Sequence, residues 1–288
     1  ATPRSSSSGG GAPGGGGGGS DTTGDTGTEP EDETSQPDYT LITPEDQPAV
    51  TDEDGNTTLP GGGEIALADG TRIEVPAGTT IDADGKVTVG SGGATVRFAN
   101  GFTLGVRGGA LLILDGEPPL GFTVASGHPF RDVREDAWYA GFVNTVYAFG
   151  LFDGTSVVTF SPGIPMTRAM FVQVLANLEY IDRSGYEESR FLDVPDGQWY
   201  TAAVEWAAEN GIVSGISEDL FDPHAPVTRE QMAVILYNYL NAFGYLIPEG
   251  ETTPFADESE ISPWALEAVN ALRGIGILAG KGDNIFDP

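Results

Sequence analysis

Residues 221–232 read Phe-Asp-Pro-His-Ala-Pro-Val-Thr-Arg-Glu-Gln-Met, and the rest of the chain is interpreted from this stretch. Its two prolines exclude a helix through the loop. Thr228 and Gln231 have the Thr-x-x-Gln spacing of a capping box, which predicts that a helix begins here. The apolar residues that follow are spaced as on one face of a helix: Met232, Ile235, Leu236, Tyr239 and Leu240.

Arg229 lies in the first turn of this predicted helix, where the helix dipole mildly disfavours a cation. A guanidinium beside unpaired backbone N–H groups forms a good receptor for an anion. For a single copy of the motif, a solvated arginine at a helix start is the alternative interpretation.

The pattern recurs along the chain. Phe160-Ser161-Pro162 and Thr167-Arg168 lie 61 residues upstream of their counterparts, and Phe286-Asp287-Pro288 lies 65 residues downstream. Three further positions also recur: they are Asp132, Asp193 and Asp257; Trp138, Trp199 and Trp264; and Gly154, Gly215 and Gly280. A fixed period with matched aromatic residues, glycines and Thr-Arg pairs indicates tandem structural units.

At these residues the chain resembles S-layer homology repeats, which commonly come in threes and hold bacterial surface proteins to the cell wall. The resemblance covers residues 127–288, and the third unit stops before its Thr-Arg helix. The usual family motif is Thr-Arg-Ala-Glu, whereas the copies here read Thr-Arg-Ala-Met and Thr-Arg-Glu-Gln. The arginines match and the final glutamate is absent, so no role of that glutamate is carried over.

The resemblance implies a mainly α fold, with three helical repeats in a pseudo-threefold arrangement and ligand grooves between the repeats. It also implies an extracellular location at the cell wall. The implied ligand is a secondary cell wall polysaccharide, which often carries pyruvate ketals.

Composition divides the chain further. Residues 1–60 are rich in Gly, Ser and acidic residues, which predicts a disordered linker. Residues 61–126 have short alternating segments, separated by Asp-Gly and Asn-Gly pairs at intervals of 15 or 16 residues. They predict a β-rich spacer, either a hairpin meander or a short solenoid. The helical repeats are expected at 127–184, 185–248 and 249–288.

The net charge of −30 argues against nucleic acid and anionic membranes as partners. The absence of cysteine excludes disulfides and cysteine-based metal sites. No apolar run approaches the ~20 residues of a membrane-spanning helix, so no membrane insertion is expected. The two histidines have no metal-ligand spacing, and we expect no catalytic residue, metal or cofactor. The chain is interpreted as an internal piece of a longer exported protein.

The recurring residues are the candidate ligand contacts. Arg168 and Arg229 are predicted to bind a ligand carboxylate, and Trp138, Trp199 and Trp264 are candidate stacking surfaces for sugars. Core packing is an equal alternative for these three tryptophans, and it is preferred for Trp206, which has no counterpart.

The remaining recurring positions have two interpretations each. Asp132, Asp193 and Asp257 could contact the ligand or accept hydrogen bonds within a turn or helix cap. Gly154, Gly215 and Gly280 could admit a ligand to the backbone or serve as turn residues. Helix capping is assigned to Thr167, Thr228 and Gln231.

The predicted function is therefore a non-catalytic anchor that binds a wall polysaccharide. Two alternatives remain open at this point. One is a structural S-layer protein that self-associates into a lattice. The other is the anchor module of a wall-bound enzyme whose catalytic domain lies outside this sequence.

Overall fold

The computed structural model describes residues 39–115, 120–245, 247 and 253–288. Within these ranges a β-rich part, residues 39–126, precedes a helical part, residues 127–288. The predicted disorder of residues 1–38 lies outside the described residues.

The β-rich part contains eleven described strands in two antiparallel sheets. In chain order they are β1 (Tyr39–Ile42), β2 (Val50–Thr51), β3 (Thr57–Leu59), β4 (Gly63–Leu67), β5 (Arg72–Val75), β6 (Thr79–Ile81), β7 (Lys86–Thr88), β8 (Ala94–Arg97), β9 (Thr103–Val106), β10 (Leu111–Ile113) and β11 (Thr123–Ser126). One sheet has the order β1-β4-β5-β8-β9, and the other has the order β11-β10-β7-β6-β3-β2.

Successive hairpins alternate between the two sheets. Hairpins β4–β5 and β8–β9 lie in the first sheet, whereas β6–β7 and β10–β11 lie in the second. In the turns Gly70 and Gly101 have φ of +88°, a conformation that glycine adopts without steric cost. Asp69 and Asn100 accept hydrogen bonds from the backbone just after each glycine. The 15- or 16-residue spacing therefore corresponds to one hairpin, with its neighbours in the opposite sheet.

Alternation along the strands buries one face of each sheet in a shared core. In β5, for example, Ile73 and Val75 are buried, whereas Arg72 and Glu74 are exposed. Side chains from both sheets fill the core, among them Leu59, Ile65, Ile73, Ile81, Val87, Val96 and Leu112. Removal of this apolar surface from water is the main force that holds the sheets together.

The helical part contains five α-helices within the described residues. They are α1 (Ala140–Ala148), α2 (Arg168–Leu178), α3 (Thr201–Glu209), α4 (Arg229–Ala242) and α5 (Leu266–Gly274). Neighbouring repeats pair their helices, since α2 packs against α3 and α4 packs against α5. None of the helices in the described ranges has the length and apolar character to cross a membrane.

The expectation of a mainly α fold is wrong, because the described chain combines five helices with two sheets of five and six strands.

The acidic, Thr-rich segment before residue 60 is predicted to be linker, yet β1, β2 and β3 lie there. Leu59 is fully buried, and Tyr39 and Leu41 pack against the same core. A few apolar residues at alternating positions are enough to add these strands to existing sheets. The α1 helix of repeat 1 packs against β11 of the second sheet.

Repeat 1 and the β-rich part share one hydrophobic core. Phe149, just after α1, is buried in the core of the sheets, with its ring centroid 6.3 Å from that of Phe122. The backbone N–H of Arg107 donates to the carbonyl of Ala148 at 2.8 Å. The guanidinium of Arg107 also forms an ion pair with Asp153. The two parts are therefore packed together and hydrogen-bonded.

A second contact joins the sheets to the end of α2. The Tyr180 hydroxyl lies against Gly105 and accepts a hydrogen bond from its backbone N–H. A Cβ at position 105 would lie 3.0 Å from the Tyr180 hydroxyl oxygen. The glycine in β9 therefore makes room for the tyrosine.

We predict that Phe149→Ala lowers the free energy of unfolding by about 3–5 kcal/mol, because it opens a cavity in the shared core. Phe142→Ala, within α1 and 67% exposed, should change it by no more than about 0.5 kcal/mol. Denaturant unfolding followed by circular dichroism measures both. Equal midpoints for the two variants would contradict the shared core.

Candidate ligand-binding site

In every repeat an aspartate carboxylate holds the Phe-x-Pro loop. Each carboxylate accepts two backbone hydrogen bonds of 2.7–2.8 Å. The acceptors and donors are Asp132 with Phe160 and Ser161, Asp193 with Phe221 and Asp222, and Asp257 with Phe286 and Asp287. The residue after each Phe has φ of about +60°, which is uncommon for residues other than glycine. The carboxylate thus stabilises a strained turn.

For Asp132 and Asp257 these contacts also favour the charged form of the carboxyl group. The hydrogen bond from the backbone N–H of Phe160 lowers the pKa of Asp132 below its ordinary value. The hydrogen bond from Phe286 likewise lowers the pKa of Asp257. Each aspartate thus acts as an acceptor for a loop that lies 28–30 residues later in the chain.

Arg168 connects repeat 1 to the loop of repeat 2. Its Nε donates to the Phe221 carbonyl at 3.0 Å, and its Nη2 donates to the Ser214 carbonyl at 3.1 Å. The guanidinium carbon lies 4.6 Å from the centroid of the Phe221 ring. The residue is buried, and burial lowers the pKa of its guanidinium.

Arg229 makes the same connection between repeats 2 and 3. Its Nε and Nη2 each donate at 2.8 Å, to the carbonyls of Phe286 and Ala279. Its guanidinium carbon lies 4.9 Å from the centroid of the Phe286 ring. We call this arrangement, in which a first-turn arginine binds the next repeat's loop, the arginine clasp.

The start of α2 is occupied as well. The N–H groups of Arg168 and Ala169 donate to the carbonyls of Ala225 and Pro223 in repeat 2. The Thr167 hydroxyl accepts from the N–H of Met170. Donors that are normally free at a helix start are therefore engaged within the protein.

The start of α4 has a complete capping box. The Thr228 hydroxyl accepts from the N–H of Gln231 at 3.2 Å, and the Gln231 side chain accepts from the N–H of Thr228 at 3.4 Å. Arg168 and Arg229 thus lie at well-defined helix starts. Their guanidinium groups donate to carbonyls of the following repeat.

The recurring glycines lie where the loop passes close to an aromatic ring. A Cβ at Gly154 would lie 2.4 Å from the Phe130 ring, and at Gly215 it would lie 2.3 Å from the Ser217 carbonyl oxygen. At Gly280 it would lie 2.7 Å from the Ile285 carbonyl oxygen. Close packing inside each repeat accounts for these glycines.

The recurring tryptophans face solvent. Trp138, Trp199 and Trp264 are 85%, 51% and 56% exposed, whereas Trp206 is buried. The equivalent position in each repeat thus presents a large aromatic surface, and the tryptophan without a counterpart belongs to the core.

One groove contains Trp199 together with polar groups of repeat 1. Its volume is about 580 Å³, and it lies along α2 and the loop that joins α1 to α2. Lining residues include Asp153, Gly154, Ser161, Gln173, Asn177, Arg183 and Trp199. The structure therefore brings Trp199 and Gly154 to one groove. The two clasp arginines do not line this groove and instead contact the loop of the following repeat.

The repeat pattern does not mark Gln173 and Arg183, which have no equivalents in repeat 2, so a search for recurring residues passes over them. Asn177 does recur as Asn238, and the two side chains donate to the carbonyls of Leu151 and Ile212. The available signal was an arginine within an otherwise acidic chain, just after a predicted helix.

The family model of the S-layer homology domain matches residues 129–170, 190–233 and 254–288. The chain is 31% identical to an endoglucanase of Bacillus sp. (strain KSM-635) over 57% of this chain and 17% of that protein. It is 28% identical to the exoglucanase XynX of Acetivibrio thermocellus, over 62% of this chain and 16% of the relative. It is also 29% identical to the surface-layer 125 kDa protein of Lysinibacillus sphaericus, over 56% and 13% of the two chains.

The chain therefore carries three tandem S-layer homology repeats. It spans less than a fifth of the length of these relatives. The repeats place it at the bacterial cell surface, in association with the cell wall, and support an anchoring role.

We predict that Arg168→Met lowers the free energy of unfolding by about 1.5–3 kcal/mol, because it removes charge-assisted hydrogen bonds between repeats. Arg134→Met is the control, since Arg134 is exposed and bonds to the nearby Asp136. That control should change the stability by no more than about 0.5 kcal/mol. Denaturant unfolding of both variants measures the difference, and an unchanged Arg168→Met would argue against the clasp.

Asp257 should make stability depend on pH. Its pKa is lower in the folded state than the ordinary 3.8, so its stabilisation is present above that value and is lost as the pH falls through the folded pKa. Asp257→Asn should therefore be less stable than the parent at pH 7, and the gap should narrow below about pH 4. Thermal unfolding between pH 7 and pH 2.5 measures the gap, and a constant gap would refute this assignment.

Proposed function

We propose that these repeats anchor a surface protein by binding a secondary cell wall polysaccharide whose sugars carry pyruvate ketals. The observation that carries this proposal is the exposure of tryptophan at the equivalent position of all three repeats. Exposed aromatic surface of this size often marks an interaction site. An indole ring offers a flat apolar face that fits the C–H face of a sugar.

The groove at Trp199 supports a saccharide ligand. Its volume of about 580 Å³ lies in the range of small-molecule sites. It combines the indole with hydroxyl and amide groups from Ser161, Gln173 and Asn177. A sugar presents the same mixture of apolar faces and hydrogen-bonding groups.

We further propose that the repeats are not catalytic. The relatives named endoglucanase and exoglucanase share with this chain only a small part of their length. In this proposal the enzyme activity of such relatives resides in sequence outside the matched region. The relative named surface-layer protein favours a second candidate, in which the whole protein assembles into a surface layer.

We expect the protein to sediment with purified wall sacculi that retain their polysaccharide. Removal of the polysaccharide with hydrofluoric acid should abolish sedimentation. Trp199→Ala should weaken binding by about five- to thirtyfold, the equivalent of ~1–2 kcal/mol for a truncated aromatic contact.

Leu192→Ala is the control, because Leu192 is an exposed apolar residue of the same repeat outside the groove. It should bind like the parent. Undiminished binding to stripped sacculi would refute a polysaccharide receptor.

A further inference from the structure

The groove beside Trp199 contains a guanidinium that belongs to neither arginine clasp. We propose that Arg183 is the receptor for the carboxylate of an acidic sugar that stacks on Trp199. This inference rests on the proposed function and names the side chain that recognises the ligand's charge. It assigns to Arg168 and Arg229 a structural role in place of ligand contact.

Neutral amides orient the Arg183 side chain. The Asn177 side chain donates to the Leu151 carbonyl at 3.0 Å and accepts from Arg183 Nη2 at 3.0 Å. The Gln173 side chain donates from its Nε2 to the same Asn177 oxygen at 2.7 Å and so fixes that amide. The guanidinium is thus held by a neutral amide oxygen, which leaves its charge unneutralised.

This charge is unusual in a chain with a net charge of −30. Five ion pairs occur among the described residues, and none of them includes Arg183. Asp153 lines the same groove, but it is paired with Arg107. Asp182 precedes Arg183 and accepts hydrogen bonds from the backbone and hydroxyl of Ser184.

The two clasp arginines differ from Arg183 in what they contact. Arg168 and Arg229 use Nε and Nη2 for carbonyls of the next repeat. Arg183 is exposed and uses Nη2 for the Asn177 amide oxygen at the side of an open groove. A planar guanidinium fits a carboxylate by two parallel hydrogen bonds, which a lysine cannot reproduce.

The chemistry of the groove defines the ligand class as a hexose with a carboxylate substituent. The indole of Trp199 would contact its apolar face, and Arg183 would bind the carboxylate. A general excess of negative charge on the protein repels acidic polymers, so a local cation is needed to hold one.

Isothermal titration of the full chain with two probes tests the proposal. One probe is a methyl hexoside with a 4,6-linked pyruvate ketal, and the other is the same hexoside without the ketal. The parent should bind the ketal form more tightly. Arg183→Gln should weaken that binding by about tenfold or more and leave the weak affinity for the uncharged probe unchanged.

Two further variants complete the test. Arg183→Lys should recover only part of the lost affinity, because it restores the charge without the planar fork. Arg97→Gln removes the same charge from an exposed position on β8, and it should bind like the parent. Circular dichroism and thermal unfolding of each variant verify that its fold is retained.

The outcomes separate the two proposals. If the parent binds sacculi and the ketal probe, and Arg183→Gln binds each of them with the affinity of the parent, the role proposed for Arg183 is wrong. The anchoring proposal then stands. If the parent binds sacculi but does not prefer the ketal probe, an acidic-sugar site in this groove is also wrong. If the parent binds neither, the anchoring proposal itself fails.

Discussion

The helical part depends on an interaction between a first-turn arginine and the backbone of the following repeat. In each arginine clasp two N–H donors meet carbonyl oxygens of a loop whose turn is held by an aspartate. A buried guanidinium without such partners would be costly, so the helix start and the loop must form together. This coupling explains why the Thr-Arg pair, the aspartate and the Phe recur as a set.

Repeat 1 has a different neighbour. Its first helix packs against β11, and the residue that follows the helix enters the core of the sheets. The β-rich part therefore covers apolar surface of repeat 1. In this chain the sheets and the first repeat stabilise each other, and the division into a spacer and an anchor describes their sequences better than their structure.

The sequence pattern predicted many of these elements because their signals are local. Alternation and the Asp-Gly and Asn-Gly pairs indicated the β-rich character of residues 61–126, and the Thr-x-x-Gln spacing indicated the start of α4. The strands before residue 60 could not be predicted in this way. Their segment is polar and acidic, and its few apolar residues gain stability only from sheets formed later in the chain. The mainly α expectation failed because it extended the character of the repeats to the whole chain.

The candidate site shows the same division between local and long-range information. Recurrence marks equivalent positions in the repeats, but structural and ligand-binding roles produce the same recurrence. Only the contacts show that Arg168 faces carbonyls of repeat 2, whereas Trp199 faces solvent. The role proposed for Arg183 could not be inferred from recurrence, because a groove beside one repeat need not have an equivalent beside the others.

The shared core around Phe149 also has a mechanical meaning. A flexible tether lets an attached body swivel and absorbs a pull by straightening. Two parts that bury the same phenylalanine and are also joined by Arg107 and Tyr180 lack that freedom. A pull applied at Tyr39 would load the hydrogen bonds of β1 and β4 along the strand direction, as a shear. The sheets would transmit that force to repeat 1, and the orientation of the two parts relative to each other would change little.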